Sequence, residues 1–221
     1  MIDYAIQRTN MVDSQVRTSD VTDRRILRAM GEVPRELFVP GAAKALAYID
    51  ENLLVAQGEA RRFLLAPRTF AKLVQVLDVG PDHAVLDIGC ATGYSTAILA
   101  RLARRVIGLE QDPDLERSAK ATITSLGVEN AVIEKGPLSA GVAQEGPYDA
   151  VLINGSIGDL PHGLLDQLKD GGRLAAIVAD GTNLGKATLW RRSGPTFDGR
   201  PVFDAAAPTL PGFERAKGFV F

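Results

Sequence analysis

The stretch Val85-Leu-Asp-Ile-Gly-Cys-Ala-Thr-Gly-Tyr-Ser95 constrains this chain more than any other. It opens as an apolar run, Ala84 to Ile88, bounded by Pro81-Asp82 before it and Gly89 after it, which predicts a buried strand running into a tight turn. Gly89 and Gly93 flank that turn, and the amphipathic segment Tyr94 to Leu102 is expected to follow it as a helix. A strand, a glycine-bearing turn and a helix whose first N–H groups face the crevice make a nucleotide-type site, with Asp87 expected at its mouth.

The spacing excludes the phosphate-binding versions of this turn. A P-loop needs Lys-Ser or Lys-Thr after its second glycine, whereas Tyr94-Ser95 follows Gly93 here. A dinucleotide fingerprint needs three glycines as G-x-G-x-x-G, and this turn reads Asp87-x-Gly89-x-Ala91-x-Gly93. An anionic Asp87 repels a pyrophosphate but suits a ligand carrying an ammonium and a sulfonium. The turn therefore predicts S-adenosyl-L-methionine, held by Asp87, Gly89, Cys90, Ala91, Gly93 and Tyr94. Glu110 closes a second apolar run, Arg105-Val-Ile-Gly-Leu-Glu110, about twenty residues beyond the turn, where a doubly wound fold places an acid on ribose hydroxyls. Alone, Glu110 would read as a solvated strand end and Asp87 as a turn former. Spacing, strand context and loop composition together favour the cofactor site.

From there strand and helix alternate. Asp112 caps and Pro113 opens a helix that Gly127 stops; Ala131 to Glu134 gives a third strand, Tyr148 to Ile153 a fourth, Leu160 to Leu168 a helix, and Arg173 to Val178 a fifth strand after Gly171-Gly172. This predicts an α/β fold, a doubly wound and mostly parallel sheet with right-handed crossovers and ligand at the carboxyl ends of the strands. Ala187 to Trp190 and Gly218 to Phe221 are expected to supply antiparallel edge strands. Upstream, Pro67 opens a helix whose Phe70, Leu73, Val74 and Leu77 recur at helical spacing. Ser19 or Asp20 is expected to cap a helix carrying Val21, Ile26, Leu27 and Met30 up to Gly31, and two prolines confine Val33-Pro-Arg-Glu-Leu-Phe-Val-Pro40 to a helical turn or two. With 221 residues and 46% hydrophobic content, the expectation is one domain over 1–221: an N-terminal helical cap and substrate loop over 1–66 and a Rossmann-like core over 67–221.

A single cysteine, Cys90, with only His83 and His162 beside it, excludes an internal disulfide framework and a zinc cluster; no metal is expected. Cys90 reads as a small spacer rather than a reactive thiol. A net charge of −2, with basic residues scattered in pairs such as Arg61-Arg62 and Arg104-Arg105, weighs against nucleic acid as a partner. No apolar run reaches membrane-spanning length, and Met1 to Arg8 lacks the order of a signal peptide, so a cytoplasmic location without a membrane partner is expected.

Met11-Val-Asp-Ser-Gln15, Val33 to Pro40, Ala47-Tyr48, the turn Asp87 to Tyr94, Asp149, and Gln167-Leu168 with Gly171-Gly172-Arg173 resemble the protein-L-isoaspartate O-methyltransferases. The likeness covers most of the chain to about residue 178. It implies carboxyl methylation of isoaspartyl or D-aspartyl residues in aged proteins, S-adenosyl-L-methionine as cofactor, and a cofactor set extended to Gln111, Gly136 and Asn154. The partner it implies is a peptide or protein bearing an isoaspartyl carboxylate, or a small acid, met by a monomer or homodimer. A carboxylate with a reference pKa near ~4 is already ionised at neutral pH, so no general base is required and no catalytic residue is assigned. Alignment and drying of the reacting groups are expected to carry the rate.

Three places depart from the family pattern. Phe63-Leu64-Leu65 stands where the family has Thr-Ile-Ser before the proline matching Pro67; Gly136-Pro137 replaces Gly-Asp; Asn154-Gly155-Ser156 replaces Thr-Ala-Ala. Arg61, Arg62, Phe63 and Leu65 are accordingly the candidate substrate-positioning residues, an arginine standing in for the missing hydroxyls through paired hydrogen bonds to a carboxylate. Core packing of Phe63 to Leu65 and a plain exposed Arg61-Arg62 pair compete with that reading. A methyltransferase for another small acceptor, with Phe63 to Leu65 as an apolar wall, and a non-catalytic cofactor-binding scaffold remain alternatives.

Overall fold

The computed structural model describes residues 3–58, 60–179 and 184–215. Its N-terminal part is a cap of short helical pieces. Helix α1 (Tyr4–Met11) is capped by Asp3, whose carboxylate accepts from the Ala5 and Ile6 N–H groups, and it continues into a wider π-type turn, Val12–Val16. Helix α2 (Arg24–Glu32) starts one turn later than its apolar stripe suggests, because Asp23 rather than Ser19 or Asp20 caps it; Asp20 instead sits at φ 63°, ending the preceding turn. Ile26, Leu27, Ala29 and Met30 are its buried face. Val33-Pro34 then holds the chain extended, and Arg35–Phe38 forms the single short turn the prolines allow.

Residues expected within the cap and substrate loop form a separate two-stranded antiparallel hairpin, β1 (Leu53–Gln57) and β2 (Arg61–Leu64), with a register break between Leu54 and Ala56. Helix α3 (Pro67–Leu77) follows, with Pro67 in its first turn and Phe70, Leu73, Val74 and Leu77 buried.

The core is a seven-stranded sheet in the order β5-β4-β3-β6-β7-β8-β9. Strands β3 (Ala84–Ile88), β4 (Arg105–Glu110), β5 (Ala131–Lys135), β6 (Tyr148–Ile157) and β7 (Leu168–Ala179) run parallel; β8 (Leu184–Ser193) and β9 (Thr196–Ala206) add antiparallel strands at one edge. Ala187 to Trp190 thus lies in an antiparallel strand as expected, while Gly218 to Phe221 lies outside the described residues. Val85, Val106, Ala150, Leu152, Ala175 and Ile177 pack on one face against the cap, α3, α4 (Tyr94–Leu99) and α5 (Pro113–Ser125). Leu86, Ile88, Ile107, Leu109, Val151, Ile153 and Leu174 pack on the other, against Leu164, Leu165, Leu210 and Phe213. Period-2 alternation along buried strands feeds both layers.

Two expectations on the second face are corrected. Helix α6 is one turn, His162–Leu165, and not Leu160 to Leu168, because Leu168 already pairs with Tyr148 at the start of β7. Gly171-Gly172 therefore lies inside β7, where Gly171 takes φ 78°. Asp149 pins the lower end of the sheet: its carboxylate accepts from the Ala84 N–H at 2.7 Å and from Lys169 Nζ at 2.7 Å. Among the described residues no helix is long and apolar enough to cross a membrane, and no group of metal-ligating side chains gathers.

Candidate active site

Strand β3 has β4 on one side and β6 on the other, so the chain departs in opposite directions around it and leaves a crevice at the strands' carboxyl ends. Asp87, Glu110 and Asn154 converge there from β3, β4 and β6. The turn after β3 is tied to β4 by the Gly89 and Cys90 N–H groups, which donate to the Leu109 carbonyl at 2.9 and 3.2 Å. Gly89 and Gly93 take φ 73° and 93°, and Ala91 takes φ 50°, a left-handed conformation rare for a residue with a side chain.

Glu110 explains how Ala91 is held in that conformation. One carboxylate oxygen accepts from the Ala91 N–H at 2.9 Å; the other accepts from the Gln111 and Asp112 N–H groups at 2.9 and 3.1 Å and from Arg62 Nη1. The acid is fully buried, and the Arg62 guanidinium, itself 1% exposed, is its ion-pair partner. Arg62 Nε and Nη2 are buried without hydrogen-bond partners.

Asp87 lies in the floor of the crevice, not at its mouth. It is 0% exposed; one oxygen accepts from Ser95 Oγ at 2.7 Å and Thr96 Oγ1 at 2.6 Å, and the other from Asn154 Nδ2. Burial pushes its carboxyl up to about 6, against the pull of those three donors. Gly108 in the neighbouring strand makes the Thr96 contact possible: a Cβ there would stand 2.7 Å from Thr96 Oγ1 and 2.6 Å from Ile133 Cδ1. The two hydroxyls were readable in the sequence as the residues opening the helix after the turn, though their role was not.

The remaining sequence candidates divide. Cys90 is buried and burial pushes its thiol well up. Tyr94 packs edge-on against Phe38 at 5.5 Å and near Phe70 at 5.8 Å, with the Arg35 guanidinium 4.7 Å from its ring centre, so its ring serves the cap. Gln111 reaches Glu110 through its backbone N–H, and the Gly136 N–H donates to the Glu110 carbonyl at 3.1 Å. On the hairpin, Arg61 is exposed with its guanidinium 5.3 Å from the Phe63 ring centre, Phe63 is half-buried, and Leu65 is buried. Arg62 departs from its expected place as a substrate-side residue: it points inward onto Glu110.

Two residues not singled out shape the crevice. Arg35, fully buried, donates from Nε to the Ala47 carbonyl at 2.8 Å and from Nη2 to the Leu65 carbonyl at 2.9 Å, fastening the foot of the hairpin to the cap. Leu210 lies across the turn from the other side; its Cδ1 is 3.0 Å from where a Cβ on Gly89 would be, and the Leu210 N–H donates to the Ser156 carbonyl at 2.9 Å. Between these walls lie two cavities of about 10 Å³ each, one beside Gly89, Tyr94 and Asn154, the other beside Arg62, Asn154 and Leu210. A much larger concavity, about 1190 Å³, lies away from the crevice against β7, β8 and β9.

Comparison with known proteins agrees with this architecture. The family model described as protein-L-isoaspartate(D-aspartate) O-methyltransferase matches residues 6–200. A protein-L-isoaspartate O-methyltransferase 1 of Syntrophobacter fumaroxidans is 35% identical over 195 residues, covering 88% of this chain and 89% of the relative. One from Herpetosiphon aurantiacus is 38% identical over 174 residues, covering 79% and 76%. Among solved structures, a protein-L-isoaspartate O-methyltransferase superposes with a TM-score of 0.81 at 24% identity, covering 94% of this chain and 66% of that one. A putative one from Plasmodium falciparum, in complex with S-adenosyl-L-homocysteine, gives 0.75 at 21% identity, covering 92% and 97%. The fold is therefore that of these proteins, and, by the family match and the identities to its relatives, the chain belongs to the protein-L-isoaspartate(D-aspartate) O-methyltransferase family.

Proposed function

We propose that this chain is an S-adenosyl-L-methionine-dependent O-methyltransferase acting on a carboxylate of a peptide or protein, the isoaspartyl residue of its family name. The observation that carries the reading is the family match over residues 6–200, joined to a crevice in which Asp87, Glu110 and Asn154 meet at the carboxyl ends of three adjacent strands. Carboxyl methylation needs no proton removed from an acceptor already ionised at neutral pH. A site without a histidine is in keeping with that: His83 precedes β3, and His162 sits in α6 beside Asp166. Arg61, exposed beside Phe63, offers a guanidinium to an acceptor carboxylate. A cytoplasmic setting belongs to the same proposal.

In the conformation described, the crevice residues do not fit the cofactor. Arg62 stands against Glu110, and the two cavities of about 10 Å³ hold about one water each, where a ligand of this size needs a pocket of roughly 300 Å³ or more. That closure favours one second reading, a family member retained as a scaffold without turnover. Incubating the purified protein with the methyl donor and an isoaspartyl peptide, with the matching aspartyl peptide as control, separates the two. Release of S-adenosylhomocysteine that depends on the isoaspartyl bond supports the first reading; its absence at all acceptor concentrations supports the second.

A further inference from the structure

We propose that the β1–β2 hairpin is an intramolecular plug: Arg62 occupies on Glu110 the place of the cofactor's ribose, so the cofactor binds only when the hairpin withdraws. The proposal rests on the cofactor reading above and adds the regulation of that site.

Position comes first. Glu110 keeps Oε2 on the Ala91 N–H and Oε1 on the Gln111 and Asp112 N–H groups, and Arg62 Nη1 adds a further donor on Oε1. A vicinal diol approaching this acid would have to displace the Arg62 guanidinium that stands against it. The hairpin's turn reaches the loop that follows the acid: a Cβ built on Gly58 would stand 3.6 Å from Asp112 Oδ2. Arg62 Nη2 also lies 3.2 Å from where a Cβ on Gly89 would be, so the guanidinium covers the glycine whose bare backbone would otherwise face a ligand.

Withdrawal exposes Leu53, Val55 and Leu64, which the hairpin lends to the core, and parts the buried Arg62–Glu110 pair, so the open state is the minor one. Among the described residues the hairpin's strands pair with each other and not with the seven-stranded sheet, so its withdrawal breaks no described strand pairing of the core. Its foot is fastened by the Ala66 N–H on Asn52 Oδ1 at 2.9 Å and by Arg35 on the Leu65 carbonyl, whereas Gln57, Gly58 and Arg61 at its far end are exposed. Arg62 Nε and Nη2 go without partners in the closed state and regain water in the open one. Glu110 keeps its three backbone donors in both. The plug therefore lowers the fraction of molecules competent to bind, and the apparent dissociation constant rises by the inverse of that fraction.

The experiment is calorimetric titration of the whole protein with S-adenosylhomocysteine, wild type against Arg62→Ala, with hydrogen exchange of the wild type followed alongside. The expected result is weak binding by the wild type, at least tenfold tighter binding by the variant, and faster exchange of β1 and β2 when the wild type is saturated. Arg62→Met, which keeps apolar volume without the ion pair, serves if Arg62→Ala fails to fold, and the wild-type exchange arm needs no variant. Equal affinity in wild type and variant, with hairpin exchange unchanged or slowed by ligand, overturns the plug and leaves the methyltransferase reading intact. No binding by either protein up to millimolar ligand overturns both.

Discussion

Replacing Asp87 by Asn tests the electrostatics of the crevice floor without touching its shape. The Asp87 carboxyl is pushed from its ordinary 3.8 up to about 6, first by burial, with Glu110 adding a smaller push and Thr96, Ser95 and Asn154 pulling the other way. The folded state thus holds its proton more tightly than the unfolded chain. Below pH 3.8 both states are protonated and the group contributes nothing; as pH rises towards 6 the unfolded chain ionises first, and stability falls; above 6 both are ionised and the penalty is constant. Two units at 1.36 kcal/mol each give a ceiling of about 3 kcal/mol. Asp23 and Asp149, held below their ordinary range by Arg25 and by Lys169 with the Ala84 N–H, add a trend of opposite sign at lower pH. They are common to both proteins and cancel in the difference. Urea unfolding of wild type and Asp87→Asn from pH 4 to 7.5 should show the variant gaining on the wild type by up to about 3 kcal/mol, most of it between pH 4 and 6. A flat difference would mean that the three donors match the cost of burial, and a gain by the wild type would mean that they exceed it; either refutes the reasoning.

Glu110→Gln leaves the buried Arg62 charge without its carboxylate and should cost about 3–5 kcal/mol in chemical denaturation; pairing it with Arg62→Met should return part of that loss, and strict additivity would show that the two side chains are not coupled. Arg35→Met removes two hydrogen bonds to buried carbonyls and the contact over Tyr94, and should lower stability by about 2–4 kcal/mol while raising the exchange rate of the Leu65 and Ala66 amides. Cys90, buried with its thiol pushed up, should resist a thiol reagent in the native protein and react at once in denaturant; fast native labelling would show that the turn opens.

Much of the core was legible because its strands are short apolar runs ended by Gly, Pro or an acid. Arg105–Glu110 and the Asp112 cap of α5 fall where the sequence puts them, and the Asp112 carboxylate does accept from the Asp114 and Leu115 N–H groups. The hairpin was not legible. Arg61-Arg62-Phe63-Leu64 alternates neither in polarity nor in size, so nothing local says that Arg62 and Leu64 face inward while Arg61 stays out; pairing with β1, Leu53 opposite Leu64 and Gln57 opposite Arg61, decides it. The same limit applies to α6. Leu160 to Leu168 has helical content, but the Tyr148 N–H takes the Gln167 carbonyl at 2.8 Å, and tertiary pairing overrides local preference. Asp87 was found as a residue and misplaced in depth, since the sequence does not show that Ser95, Thr96 and Asn154 surround it.

The three backbone N–H groups on Glu110 come from the chain itself, after β3 and after β4, and none from the hairpin. The acid is therefore set by the fold, and Arg62 is a guest on it. Over generations this separates two kinds of change. If the hairpin is a plug, a substitution at position 62 alters how often the crevice is free without removing the donors that set the acid. Loss of Glu110 is of the other kind, because Ala91 would then lose the partner that holds its left-handed turn.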